Sequence, residues 1–130
     1  MAKVPVISIV DDDPSVREAT KGLVRSLGYG AAAFASAEDF LQSDQVNDTA
    51  CLITDVQMPG LSGVELQSRL IAQGNCTPII FITAFPEQRI RTRALEAGAV
   101  GFLSKPFDED CLIEYIHAAL NGGKAGNVQP

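Results

Sequence analysis

The sequence predicts an α/β domain built as an open, doubly wound (βα)5 parallel sheet with strand order 2-1-3-4-5, and three observations lead there. Five apolar runs alternate with five segments of helical spacing along 130 residues, a length that fits one domain with one sizeable core. The first, third and fourth runs are almost continuously apolar, as strands buried on both faces of a parallel sheet are. The second and fifth are weaker, which suits the sheet edges. Right-handed crossovers then lay helices on both faces.

The first run, Val4–Val10, is followed by Asp13 and Pro14, which read as an N-cap with proline in the first helical position. Val16, Ala19, Leu23 and Leu27 recur at three- and four-residue steps and give the first helix its apolar face. The second run, Ala31–Ala35, is alanine-rich, and Ser36 with Asp39 behind it resembles a capping box that opens the second helix. The third run is Cys51–Thr54, the fourth Pro78–Ile82, and the fifth, Ala99–Leu103, contains Gly101. Gly28, Gly74 and Gly98 each fall just after a helical pattern, where a left-handed residue closes a helix. Leu112, Ile116, Ala119 and Leu120 mark the apolar stripe of the last helix. Residues 1–122 are expected to form the domain. Residues 123–130, which contain glycine and lack an apolar face, are expected to be a flexible tail or a truncated linker.

Composition excludes several function classes. Hydrophobic residues make up 46% and charged residues 20% of the chain, as in an ordinary globular protein. No apolar run approaches the ~20 residues needed to span a bilayer, so no membrane association is expected. Met1, Ala2 and Lys3 lead straight into the first strand without the apolar stretch of a secretory signal. Cys51, Cys76 and Cys111 are odd in number and widely spaced, which argues for reduced thiols in a cytoplasmic protein. Ten basic against sixteen acidic side chains give a net charge of −6, so direct nucleic acid binding is not expected. His117 is the single histidine; it rules out a multi-histidine metal site and is expected on a helix face.

In an open α/β sheet the ligand crevice lies at the carboxyl ends of the strands. Here the first strand runs into Asp11, Asp12 and Asp13, the third into Asp55, the fourth into Thr83 and the fifth into Lys105–Pro106. Asp13 is accounted for as the helix cap. The remaining carboxylates would repel one another unless a cation joined them. Mg2+, with Mn2+ as a substitute, takes one or two carboxylates and leaves positions for phosphate oxygens. Lys105 adds a second positive charge and Thr83 a hydroxyl. Such positioning and charge neutralisation are what phosphoryl transfer needs.

Val10-Asp11-Asp12-Asp13, Thr54-Asp55-Val56-Gln57-Met58-Pro59-Gly60 with Ser62-Gly63, Ile82-Thr83-Ala84 and Phe102-Leu103-Ser104-Lys105-Pro106-Phe107 together resemble the motif set of response-regulator receiver domains, a flavodoxin-like fold. The likeness runs from Val4 to Leu120. It implies that Asp55 is the phosphoacceptor, that Asp11, Asp12 and Asp55 hold Mg2+ with the backbone carbonyl of Gln57, and that Thr83 and Lys105 grip the phosphoryl group. It implies a cis Lys105–Pro106 bond, a switch role for Phe102, and modulation of the phosphoryl lifetime by Gln57 and Phe85.

By the same resemblance the phosphoryl donor is a partner histidine kinase, and the face of the fourth helix, fifth strand and fifth helix carries the signal. Ser36-Ala37-Glu38-Asp39-Phe40-Leu41 and Ala94-Leu95-Glu96-Ala97-Gly98-Ala99 look most like receivers of nitrogen-fixation and LuxR-type transcriptional regulators. That likeness suggests homodimerisation through this face and a C-terminal DNA-binding domain in a longer parent protein. Two other readings compete. One is a stand-alone or phosphorylation-independent interaction module. The other is an aspartate-nucleophile phosphatase, which looks for a second aspartate where this chain has Gln57, a side chain unable to exchange a proton at neutral pH.

Overall fold

A computed structural model of the chain describes residues 4–121; the tail expected at 123–130 lies outside the described residues. Ten elements alternate: β1 (Val6–Val10), α1 (Pro14–Ser26), β2 (Gly30–Phe34), α2 (Ala37–Gln42), β3 (Thr49–Asp55), α3 (Gly63–Ala72), β4 (Ile79–Thr83), α4 (Gln88–Glu96), β5 (Gly101–Ser104) and α5 (Glu109–Leu120). The strands form one parallel sheet in the order β2-β1-β3-β4-β5. The weak second and fifth strands stand at its edges, as the sequence predicts.

Alternation along each strand sorts the apolar runs onto two faces. Ile7, Ile9, Cys51, Ile53, Ile80 and Ile82 join Val24 of α1 and Leu112 and Ile116 of α5. Val10, Leu52, Ile79, Phe81 and Phe102 point the other way and pack with Phe40 of α2, Leu66 and Leu70 of α3 and Ala94 of α4. This two-sided burial is the reason the central strands are mostly apolar.

Helix starts follow their caps. Asp13 accepts from Ser15 N, Ser36 from Asp39 N and Asp108 from Asp110 N. Ser62 and Glu65 complete a reciprocal capping box at α3. Gly28, Gly74 and Gly98 all have positive φ, as the helix endings require.

Three details differ from expectation. The first strand starts at Val6, because Pro5 has no N–H for a ladder and contributes only its carbonyl, to Gly30 N at 2.9 Å. On α1 Ala19 is exposed, while Thr20 and Val24 form the buried ridge; a threonine on the buried face is invisible to a hydropathy pattern. Gly101 is less a weakness of β5 than a fit, since a Cβ there would lie 2.6 Å from ring carbons of Tyr115 on α5.

Candidate functional site at the carboxyl edge of the sheet

The strand register assembles the site. Val10 pairs with Thr54, so Asp11 comes level with Asp55 one step on. Asp55 pairs with Ile82, which sets Thr83 just beyond it, and Thr83 pairs with Ser104, which delivers Lys105 to the same edge. Lys105 N donates to Thr83 O at 2.7 Å, and the Lys105–Pro106 peptide bond is cis. α3 closes in behind Asp55. Gly63 N donates to Val56 O at 2.8 Å, and a Cβ on Gly63 would collide with the Asp55 carbonyl oxygen.

Asp11 and Thr83 are fully buried and Asp55 nearly so, whereas Asp12 is exposed. Lys105 Nζ lies 3.1 Å from Asp55 Oδ2, as a hydrogen bond, and 3.1 Å from Asp11 Oδ2. The second contact is an ion pair without hydrogen-bond direction, so Asp11 Oδ2 is buried and accepts no hydrogen bond. Burial pushes the Asp11 carboxyl above its ordinary value, against the opposing pull of Asp13 N–H and Lys105. Burial alone would pull the Lys105 ammonium down, but its hydrogen bond to Asp55 and its ion pair with Asp11 outweigh that and hold it above its usual value.

Ligand atoms of Asp11, Asp12 and Asp55 all lie within 4.8 Å of one another. Three oxygens at that spacing, one of them buried and accepting no hydrogen bond, fit a hard divalent cation. Gln57 is exposed, and its backbone N–H donates to Asp55 Oδ1 at 3.4 Å. Phe85 is 67% exposed, and its N–H donates to Thr83 Oγ1 at 3.1 Å. Phe102 faces inward in the core, its ring centroid 6.1 Å from that of Phe81. Asp13 serves as a cap, and His117 is exposed on α5.

Two residues at this edge have no counterpart in the sequence reading. Arg17 Nη1 donates to the Asp11 carbonyl at 2.8 Å. Glu38 Oε2, on α2, accepts from Leu61 N at 3.0 Å and so grips the loop between β3 and α3. The first could have been sought from an arginine one turn into the helix after the acidic run; the second, 23 residues from its partner, leaves no local signal.

With this geometry in place, comparison with known proteins decides the family. Residues 7–117 match the family model described as "Response regulator receiver domain". The chain belongs to this family. The receiver is 44% identical over 115 residues to response regulator protein TodT of Pseudomonas putida, covering 88% of this chain and 51% of that protein. It is 37% identical over 114 residues to transcriptional regulatory protein FixJ of Bradyrhizobium diazoefficiens, covering 88% and 56%. Among solved structures, response regulator StyR superposes with a TM-score of 0.86 at 41% identity, over 96% of this receiver and 63% of that chain. The receiver thus spans about half the length of the curated relatives it matches. Among its described residues no helix is long and apolar enough to cross a membrane.

Proposed function

We propose that this receiver accepts a phosphoryl group on Asp55 in a Mg2+-dependent reaction, from a partner histidine kinase or a small phosphodonor, and acts as a switch and not as a multiple-turnover enzyme. The observation that carries this reading is the convergence of Asp55 Oδ2 and the buried Asp11 Oδ2 on one ammonium, each 3.1 Å from Lys105 Nζ.

In the transfer an Asp55 carboxylate oxygen attacks the donor phosphorus. The new P–O bond forms as the donor's P–N bond (phosphohistidine) or P–O bond (acyl phosphate) breaks, and the leaving group takes the electron pair. Lys105 is free to follow the new charge, since its two partners are the carboxylates already present. Thr83 accepts from Phe85 N, and a hydroxyl that accepts keeps its own proton to donate, here to a phosphoryl oxygen. Asp11, Asp12, Asp55 and the Gln57 carbonyl would hold Mg2+ or Mn2+, which when bound supplies positive charge between the carboxylates and the phosphoryl oxygens. Gln57 and Phe85, flanking the edge, would set how readily water removes the phosphoryl group. Gln57 offers no proton exchange for the turnover chemistry of a phosphatase.

The signal would leave through Thr83. Its movement toward the phosphoryl group pulls on the loop that starts α4, and Phe102, already inside, would be held there. The face made by α4, β5 and α5 would suit a symmetric homodimer, because α4 exposes Arg91 on the side away from Arg93, which borders α3, while α5 opens with Glu109 and Asp110. Residues 1–122 would form this module in the cytoplasm, where three free cysteines stay reduced. A C-terminal DNA-binding domain in a longer parent accords with the length of the relatives and with the name of the transcriptional regulator among them.

Intact mass after incubation with acetyl phosphate tests the reading. One added phosphoryl group is expected, and it disappears when Mg2+ is omitted or Asp55 is changed to Asn. No addition in excess donor and metal would leave a phosphorylation-independent interaction module.

A further inference from the structure

We infer that Arg17 is a positioning residue for the metal-binding turn between β1 and α1, tuning Mg2+ affinity through the Asp11 backbone and not through its own charge. This rests on the reading of Asp11 and Asp12 as metal ligands.

Asp11 is tied at every polar atom except one. Its N–H donates to Phe34 O at 3.1 Å, and its Oδ1 accepts from Asp13 N at 2.9 Å. Its carbonyl accepts from Arg17 Nη1 at 2.8 Å. Only Oδ2 is left without a hydrogen bond, and Oδ2 is the atom turned toward Lys105 and the cluster. The first two ties fix the strand end and the side chain. The third holds the peptide that joins Asp11 to Asp12, and so sets the angle at which the exposed Asp12 leaves the buried Asp11.

Arg17 is suited to the task. It sits in the first turns of α1, its own N–H bonded to Asp13 O at 2.9 Å, so its side chain spans the turn it braces. A charged donor to a backbone carbonyl is stronger than a neutral one, and a guanidinium loses less freedom on binding than an ammonium on an equally long stem. Arg17 is half-buried and has no acidic partner within ion-pair distance among the described residues. Outer-shell partners of ligating groups typically contribute ~10–100-fold in metal affinity.

The two roles an arginine can have here differ in sign. A bare positive charge beside a cation site weakens Mg2+ binding, so removing it strengthens binding. A brace does the reverse. The experiment is calorimetric titration of the protein with MgCl2, without phosphodonor, for wild type, Arg17→Met, Arg17→Lys, Arg25→Met as an α1 control, and Asp11→Asn. Arg17→Met is expected to bind Mg2+ at least ~10-fold more weakly, Arg17→Lys to fall between it and wild type, and Arg25→Met to match wild type. Phosphorylation of Arg17→Met by acetyl phosphate is expected to recover its wild-type maximum at high Mg2+, with the half-saturating concentration raised. Equal or tighter Mg2+ binding by Arg17→Met would overturn the inference. So would an Arg17→Lys variant identical to wild type, since the guanidinium's reach to the Asp11 carbonyl would then not matter. Should Arg17→Met melt below the working temperature, the Lys variant is read alone, by the same two outcomes. If wild type and Asp11→Asn both fail to bind Mg2+, it is the reading of the cluster that fails, and the inference falls with it.

Discussion

Glu38 shows how one carboxylate outside the acidic cluster holds the loop that follows Asp55. Its Oε2 accepts from Leu61 N and presses against Gly60, whose positive φ and absent Cβ make room for it. The Leu61 N–H holds the Glu38 carboxyl below its ordinary value of 4.5, with help from its own backbone and from Arg69. A lowered folded pKa means that the stabilisation is fully present above 4.5 and is lost as pH falls through the folded value. Glu38→Gln is therefore expected to unfold at lower urea than wild type at neutral pH, and the gap should close on acidification. A gap of constant size on both sides of the transition would mean that the lost contact is one of shape, not charge. Legibility at this scale follows the strand ends. Asp11, Asp12, Asp55, Thr83 and Lys105 could be placed at one edge from sequence because each follows an apolar run. Arg17 has only a weak signal, an arginine one turn into the helix after the acidic run, and Glu38 has none, since it bonds a backbone N–H 23 residues away.

At the scale of elements α4 stands apart. Its N-cap, Glu87, makes no side-chain cap bond, and Ala94 is its single buried residue, with Ile90 and Leu95 only partly buried. What ties it down is Gln67 of α3, whose Nε2 donates to Ala94 O at 3.1 Å in a buried bond. By contrast α1, α3 and α5 are capped and each bury at least two residues. Local opening follows such differences in burial and capping, so α4 amides are expected to exchange hydrogen faster than those of the other three. Glu87→Ser, which supplies a cap worth roughly 1 kcal/mol, should slow that exchange in α4 alone. Exchange in α4 as slow as in α3, or unaffected by the new cap, would count against this. The elements themselves were legible from period and punctuation: apolar runs of strand length, Asp13-Pro14 and Ser36 at starts, Gly28, Gly74 and Gly98 at ends. What stayed hidden was tertiary, such as Thr20 turned inward on α1, or Gly101 made necessary by Tyr115. Those depend on which neighbour occupies the space, and one chain's pattern does not carry that.

For the whole molecule, the site holds like charges together at the fold's expense. Two apolar layers sandwich the sheet, while its carboxyl edge gathers three carboxylates with one ammonium, Lys105, between two of them. The sign at Asp11 follows from its raised carboxyl. Between the unfolded value of 3.8 and the higher folded one the native state holds the proton more tightly, so ionising Asp11 above that window costs stability, and the cost vanishes as pH falls. Asp11→Asn keeps an oxygen for Asp13 N–H but removes the buried charge. In EDTA at neutral pH it should therefore be more stable than wild type. Mg2+ should reverse the ranking. Binding only to the folded state adds ~2.7 kcal/mol at a hundred times Kd, and wild type should gain this while Asp11→Asn gains little. Urea unfolding of both proteins with EDTA and with MgCl2 reads the four values. Crossing stability lines would mean that the acidic edge is kept for the cation it holds. Parallel lines would mean that Lys105 already neutralises the edge, and that metal and fold are not coupled through Asp11.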